Sequence, residues 1–273
     1  MGEPTGDIKE IDIDSIVRQK AGKRAWLIPK CLTKLLEKAI HQDFINIYLR
    51  QRRTGVDFCK GTVEYLGVTV KVVGQENLPN DGRLYTFVSN HPLGAIDGVT
   101  LGWIIGEHYG GKIKYLVNDL LMNLQGLAPL CVPINKLGKQ ARNFPATVEG
   151  AFSGDCHVVM FPAGLCSRKT SQGQIRDLDW SKTFVTKSVQ HQRDVVPIHF
   201  EGRNSERFYN TARWCQRLRL PNFAMALLPD EMYRSQGKTY VVKIGKPIPW
   251  QTFDKTRTPR QWAGWVRQQV YTL

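Results

Sequence analysis

The sequence predicts an α/β domain: a central mixed, largely parallel sheet flanked by helices, preceded by an N-terminal helical extension. Three observations carry that expectation. Short apolar runs such as Cys156–Phe161 (CHVVMF) and Val195–Phe200 (VVPIHF) have the length of buried strands. Segments of helical periodicity separate these runs, and no internal repeat interrupts the alternation. Polar turn residues follow the runs, so candidate site residues collect at strand ends, where sites form in such sheets.

In chain order, Met1–Asp14 is polar and loosely held, and Arg18, Lys20, Lys23 and Arg24 then crowd together. A helix from Pro29 places Leu32, Leu35, Leu36 and Ile40 on one face and Lys30, Lys34 and Lys38 in a stripe on another. A second helix, over Gln42–Arg52, carries Phe44, Ile45, Tyr48 and Leu49 and ends in Arg50, Arg52 and Arg53. An apolar face beside lysines fits an interfacial membrane helix; it equally fits an arm packed on the main domain with its lysines solvated. The valine-rich Leu66–Val73 alternates and reads as a strand. A turn-rich loop, Glu76–Gly82, leads to the central strand Leu84–Val88, which stops at Ser89-Asn90-His91. Pro92-Leu93-Gly94 makes a turn, because proline fixes φ and glycine tolerates positive φ, and a buried helix starts at Ala95.

Beyond it, Ile113–Val117 is a strand, Asp119–Leu124 a short helix, and Leu130–Ile134 an apolar segment leading to Asn135 and Lys136. A helix over Gln140–Phe152 precedes Cys156–Phe161, and Pro162–Lys169 is a loop rich in potential anion ligands. Helix Trp180–His191, strand Val195–Phe200, basic helix Asn204–Leu218, strand Tyr240–Ile244 and helix Pro259–Tyr271 complete the chain. A boundary near residue 63 would divide a basic helical extension, 1–63, from a main domain, 64–273.

The 273 residues include 42% hydrophobic ones, an ordinary globular composition. The formal charge of +14 calls for an anionic partner: nucleic acid, anionic lipid or an acidic carrier. No RRM, KH, helix-turn-helix or zinc pattern is present, which argues against nucleic acid. The six cysteines show no paired metal spacing and read as reduced core residues of a cytosolic protein. The acidic, polar N-terminus is no signal peptide. Asn90, His91, Pro92 and Asp97 interrupt the apolar stretch Leu84–Gly106 and argue against a membrane span.

His91, Asn135-Lys136 and Gly164–Arg168 each follow a strand end and so converge on one site. On a continuous helix the offset from His91 to Asp97 is about 600°, so the two would face apart. They meet only if the Pro-Leu-Gly turn folds His91 over the helix start. Asp97 could then hold one imidazole nitrogen as N–H and leave the other as a base. The plainer alternative is a strand-end histidine with a capping aspartate. No Gly-x-Ser-x-Gly elbow occurs, Cys166 reads as a buried loop cysteine, and His199 as a satisfied structural histidine. Asn204 suits the cap of the helix that follows it. Arg168 suits an anionic headgroup; for Lys169 a headgroup and open solvent fit alike.

Asn90-His91 with Asp97, then Phe161-Pro162-Ala163-Gly164 with Ser167-Arg168, then Val195-Val196-Pro197-Ile198 resemble the successive motifs of the glycerolipid acyltransferase superfamily. Order and spacing agree over about Glu64–Pro249. The wording NHPLGAIDG and FPAGLCSRK, with Phe200–Ser205 and Lys243–Pro247, is nearer the branch that acylates lyso-ornithine and lyso-glycine lipids, often labelled haemolysin-like. The resemblance implies a membrane-associated O-acyltransferase in which His91 takes the acceptor's hydroxyl proton and Asp97 orients it. It implies an acyl thioester co-substrate, acyl-CoA or acyl-carrier protein, with no cofactor and no metal. Substrate contacts are implied at Asn90, Asn135, Lys136, Phe161, Pro162, Gly164, Ser167 and Arg168. The implied partners are a lyso-lipid and an anionic membrane surface, and the implied place is the cytoplasmic face of the inner membrane.

Three departures from the wider superfamily bear on the acceptor. Five residues separate His91 from Asp97 where four are usual, Ala163 replaces a glutamate, and Asn135-Lys136 stand where an arginine grips phosphate. All three turn the expectation from glycerol 3-phosphate or lysophosphatidate toward an N-acyl amino acid acceptor, although Leu165 stands where the amino-acid-lipid branch often has glutamate. From a different class, a basic lipid-binding protein without catalysis is the competing reading.

Overall fold

The computed structural model describes residues 10–117, 121–122, 124–134, 144–220 and 222–273. Asn135 and Lys136, the start of the helix expected from Gln140, and Asp119 lie outside the described residues. Helices α1 (Ile13–Ala21), α2 (Lys30–Ala39), α3 (Gln42–Leu49) and α4 (Gly55–Tyr65) precede strand β1 (Thr69–Val73). Then come β2 (Thr86–Ser89), α5 (Ile96–His108), β3 (Ile113–Val117), β4 (Cys131–Pro133), α6 (Phe144–Ser153) and β5 (His157–Met160). A small hairpin of β6 (Arg168–Lys169) and β7 (Ile175–Arg176) leads to α7 (Thr183–Gln190), β8 (Val195–Glu201) and α8 (Glu206–Arg217). The chain ends through α9 (Leu228–Tyr233), β9 (Thr239–Ile244) and α10 (Pro259–Thr272).

Seven strands form one sheet in the order β1-β9-β8-β2-β5-β3-β4. Every neighbouring pair is parallel except β8–β9, so the sheet is mixed and largely parallel. Both faces are covered, which explains why its central strands read as unbroken apolar runs. Alternate side chains of one strand enter different cores. Phe87, Val159, Val196 and Ile198 pack with Leu101 and Ile105 of α5 on one face. Val88, Val158, Met160 and Val195 pack with Phe184 of α7 and Val266 of α10 on the other. The three central strands β8, β2 and β5 run side by side; β2 and β5 end within one residue of each other, and β8 runs on to Glu201.

Helix α4 was not legible from apolar periodicity: Gly61, Thr62 and the β-branched Val56 and Val63 dilute its pattern. It lies close against α5, where a Cβ on Gly102 would meet Cys59 Sγ at 2.7 Å. Phe58, Cys59 and Val63 are buried in the main core, so a boundary at residue 63 falls inside a helix that belongs to that core. Helix α3 buries Tyr48 and Leu49 and stacks Phe44 near Tyr65 and Tyr233. Helix α2 behaves differently. It buries Thr33, while Leu32, Leu35 and Leu36 face outward, Leu35 at 64% exposure.

Two local expectations are corrected. The helix after β8 is capped by Ser205, whose Oγ accepts from Phe208 N at 3.3 Å; Asn204, one residue earlier, instead donates its amide to Leu93 O at 3.2 Å. His199 is not satisfied at Nδ1, which is buried with no hydrogen-bond partner among the described residues, and burial lowers its pKa.

Candidate active site

Strand β2 delivers Ser89, Asn90 and His91 to the end of the sheet, and α5 begins five residues later. The turn between them bends at Gly94, whose φ of 79° suits glycine and whose missing Cβ would sit 2.2 Å from Cys166 Sγ. That bend brings His91 back over the first turn of α5. His91 Nδ1 lies 3.0 Å from Asp97 Oδ2, with 16% of the His91 side chain exposed and none of the Asp97 side chain. The same Oδ2 accepts the backbone N–H groups of Leu93 (2.9 Å) and Gly94 (3.1 Å), and Oδ1 accepts that of Gly98 (2.9 Å).

These contacts settle the protonation logic. Burial pushes the Asp97 pKa up, but His91 and the backbone donors outweigh it, and the net shift is downward. An ionised Asp97 can only accept, so His91 carries its proton on Nδ1 and its Nε2 is free. Burial would lower the His91 pKa; Asp97, assisted by Asp177, outweighs it and leaves the pKa raised. The pair can therefore take a proton from a hydroxyl at Nε2 and hold the resulting imidazolium.

The loop after β5 forms the opposite wall. The Phe161 ring stacks on His91 with centroids 4.0 Å apart. Ser167 N donates to His91 O at 2.8 Å, locking this loop to the β2 end. Arg168 Nη1 donates to the carbonyls of Cys166 (2.8 Å) and Ser167 (3.3 Å), and its guanidinium lies 5.5 Å over the Phe208 ring. Its Nε and Nη2 donate to no described residue. Gly164 is exposed at the tip of the loop with φ 69°. Pro162 is buried and offers its carbonyl to Ser181 N. Cys166 is buried and its thiol is pushed up to about 12 by that burial, which removes it as a nucleophile.

Not every residue singled out from sequence offers a side chain to this space. Asn90 is 2% exposed, and its amide is spent on the Phe200 backbone, donating to its carbonyl at 2.9 Å and accepting its N–H at 2.7 Å. It extends the β2–β8 ladder by one side chain. Ser167 is equally committed, donating to Asp177 Oδ1 at 2.6 Å.

Asp177 is the residue that sequence reasoning missed. Its Oδ1 also accepts His91 N at 3.1 Å, and its Oδ2 accepts Trp180 Nε1 at 2.8 Å. Burial raises its pKa against those donors. It joins the His91 turn to the Ser167 loop across 86 positions of sequence, and no local pattern marks such a contact. Among the described residues no group of three or more His, Cys, Asp or Glu side chains could hold a metal ion. Among them, too, no helix is long and apolar enough to cross a membrane.

A mostly parallel sheet with a His–carboxylate pair at the end of its middle strand defines a class of α/β protein able to carry out base-assisted group transfer. The family profile described as Acyltransferase matches residues 15–273, and the chain belongs to that family. It is an acyltransferase. The chain is 58% identical over 266 residues to the Lyso-glycine lipid O-acyltransferase of Bacteroides thetaiotaomicron, covering 96% of this chain and 97% of that one. It is 56% identical, again over 266 residues, to the protein of the same name from Phocaeicola vulgatus, covering 96% and 95%. Among solved structures, the 1-acyl-sn-glycerophosphate (LPA) acyltransferase PlsC of Thermotoga maritima aligns with a TM-score of 0.49 at 17% identity, over 94% of this chain and 88% of that one.

Proposed function

We propose that this protein esterifies the free hydroxyl of a lyso amino-acid lipid, of the lyso-glycine type, with a fatty acyl group taken from an acyl thioester. The observation that carries the reading is the His91–Asp97 pair with Nε2 free, in a chain 58% identical to a Lyso-glycine lipid O-acyltransferase. His91 Nε2 removes the hydroxyl proton as the oxygen attacks the thioester carbonyl. The tetrahedral intermediate collapses with cleavage of the C–S bond, and the proton held by His91 passes to the departing sulfur. Ester and free thiol are the products, and no covalent enzyme intermediate is needed.

Arg168 holds the acceptor in this reading. With Nη1 held by two carbonyls, its remaining edge, Nε and Nη2, suits one carboxylate in a bidentate pair. A phosphate dianion calls for several clustered donors. The reaction takes place on a membrane surface: α2 exposes Leu32, Leu35 and Leu36 together with Lys30, Lys34 and Lys38, and Trp26, just before it, is 79% exposed. The free cysteines support the reducing, cytoplasmic side of that membrane.

The test is one acyl thioester donor assayed against three acceptors: a lyso-glycine lipid, glycerol 3-phosphate and lysophosphatidate. Preference for the lyso-glycine lipid is expected, and Arg168→Lys should raise its KM about tenfold, since the planar fork is lost while the charge remains. Preference for either phosphate acceptor would overturn the acceptor assignment. Activity on none of the three would favour a non-catalytic lipid-binding role.

A further inference from the structure

A second cluster of chemistry lies behind Asp177, outside the His91 site. Between α10 and the end of the β6–β7 hairpin is an open cleft of about 470 Å³, lined by Arg176, Arg257, Arg267, Gln261, Trp265 and Tyr271 among others. Three guanidinium groups share this space. Arg176 lies 4.7 Å over the Tyr271 ring, and Arg257 lies 4.7 Å over the Trp262 ring. Arg267 donates to the Asp177 carbonyl, and its Nε is buried with no hydrogen-bond partner among the described residues. Two exposed carboxylates lie nearby: Asp179 is 3.6 Å from Arg267, and Asp254 interacts with Arg257, while Arg176 forms no ion pair among the described residues. Three guanidinium groups around one cleft, two of them on aromatic supports and with only two exposed carboxylates beside them, make a site for a polyvalent anion.

The cleft is coupled to the catalytic centre by single residues. Tyr271 Oη accepts the Asp177 backbone N–H at 2.8 Å, while the Asp177 carboxylate holds His91 N on its other side. Arg176 faces Arg168 across the β6–β7 ladder, so their Cα atoms are about 5 Å apart. Paired residues of an antiparallel ladder project to the same face, and from it Arg168 reaches the Phe208 ring and Arg176 the Tyr271 ring, so site wall and cleft share this hairpin. A molecule anchored by its anion in the cleft need only cross the edge of a two-residue hairpin to reach His91.

We infer that this cleft binds the phosphate group of the thioester donor, the phosphate that terminates the pantetheine arm in both coenzyme A and an acyl-carrier protein. The inference rests on the thioester reading given above. Three arginines hold the phosphate, Gln261 and Trp265 line its surroundings, and the flexible arm carries the thioester over the hairpin to His91. The acceptor is held by Arg168 on the neighbouring strand of the same hairpin, so each substrate has its own guanidinium.

The experiment is a double variant, Arg176→Gln with Arg257→Gln, chosen because both side chains are exposed and neither touches Asp177. Four donors carrying the same acyl chain are compared: acyl-CoA, acyl-carrier protein, acyl-4′-phosphopantetheine and acyl-pantetheine. The donor KM should rise roughly tenfold for the three phosphate-bearing donors, with kcat and the acceptor KM unchanged. The phosphate-free acyl-pantetheine should show no change, and a rise confined to CoA or to the carrier protein alone would place the recognised group outside the shared phosphate and overturn the inference. Equilibrium binding of free CoA, followed by calorimetry, should weaken by the same factor. Donor KM values within twofold of wild type, or an equal rise for acyl-pantetheine, would overturn the inference. Were the wild type to turn over no thioester, the thioester reading itself would fall, and the calorimetry would still decide whether the cleft binds phosphate: CoA bound equally by wild type and variant, or by neither, rules it out.

Discussion

At the scale of single residues, His91 is held by a carboxylate that has no other work than to hold it and the turn beside it. Asp97 accepts four donors, three of them backbone N–H groups around the turn. Replacing His91 with Ala should lower kcat by roughly a hundredfold or more, far beyond any loss of folded protein seen in its melting temperature. Asp97→Asn should cost as much activity, because an amide cannot stabilise imidazolium, and should also loosen the turn. The raised His91 pKa fixes the direction of the pH dependence. Only neutral His91 is a base, so kcat/KM should fall as pH drops through a midpoint above 6.5, and Asp97→Asn should move residual activity to a lower midpoint. The stability term has the opposite sense. The charge pair contributes fully below the unfolded value of 6.5 and is lost as pH rises through the folded pKa. A flat kcat/KM profile from pH 5.5 to 8 would count against His91 as the base. Gly94 is the other critical residue. Gly94→Ala combines a positive φ with a contact at 2.2 Å, and should cost roughly 2 kcal/mol or more in urea unfolding together with most activity.

At the scale of elements, α2 and α8 present surfaces that the core does not need. Helix α2 turns its leucines outward, and α8 exposes Trp214 and Leu218 beside Arg213 and Arg217. Because these side chains are already in water, polar replacements cost little folding stability, which separates docking from folding experimentally. Leu32, Leu35 and Leu36 replaced together by Ser should reduce binding to vesicles rich in anionic lipid at least tenfold without lowering the melting temperature. Glu in place of Lys30, Lys34 and Lys38 should abolish the preference for anionic over neutral vesicles, at about 1 kcal/mol per basic residue. Equal binding of the wild type to neutral and anionic vesicles would remove the electrostatic part of this reading.

At the scale of the whole molecule, the site depends on three strand ends arriving together, and buried polar ties keep the layers in register. Arg193, 2% exposed just before β8, donates to the carbonyls of Phe152, Gly154 and Cys156 at the α6–β5 junction. It joins the start of β8 to the start of β5, the two strands that flank β2. Arg193→Leu leaves those carbonyls unpaired and should cost roughly 3 kcal/mol or more, measured by urea unfolding with the slope held constant. A loss under about 1 kcal/mol would show that the junction finds water instead.

The apolar runs were sufficient to announce the α/β class and most strands to within a residue or two. Strand and helix periods are set by local backbone geometry, which every residue carries with it. Proline and glycine announced the turn between His91 and Asp97, but the chain left a contact between the two open beside a plain capping aspartate, and the fold brings Nδ1 within 3.0 Å of Oδ2. What covers an apolar face is not a local property, so the leucines of α2 read alike whether packed on the domain or left facing outward, and only the assembled helices showed them outside. The α4 contribution to the core and the replacement of Asn204 by Ser205 as the cap were decided in the same way, by neighbours distant in sequence. Asp177 is the clearest case: its hydrogen bond to His91 spans 86 residues, and a contact that joins the end of β2 to the exit of the β6–β7 hairpin has no period in the chain to reveal it.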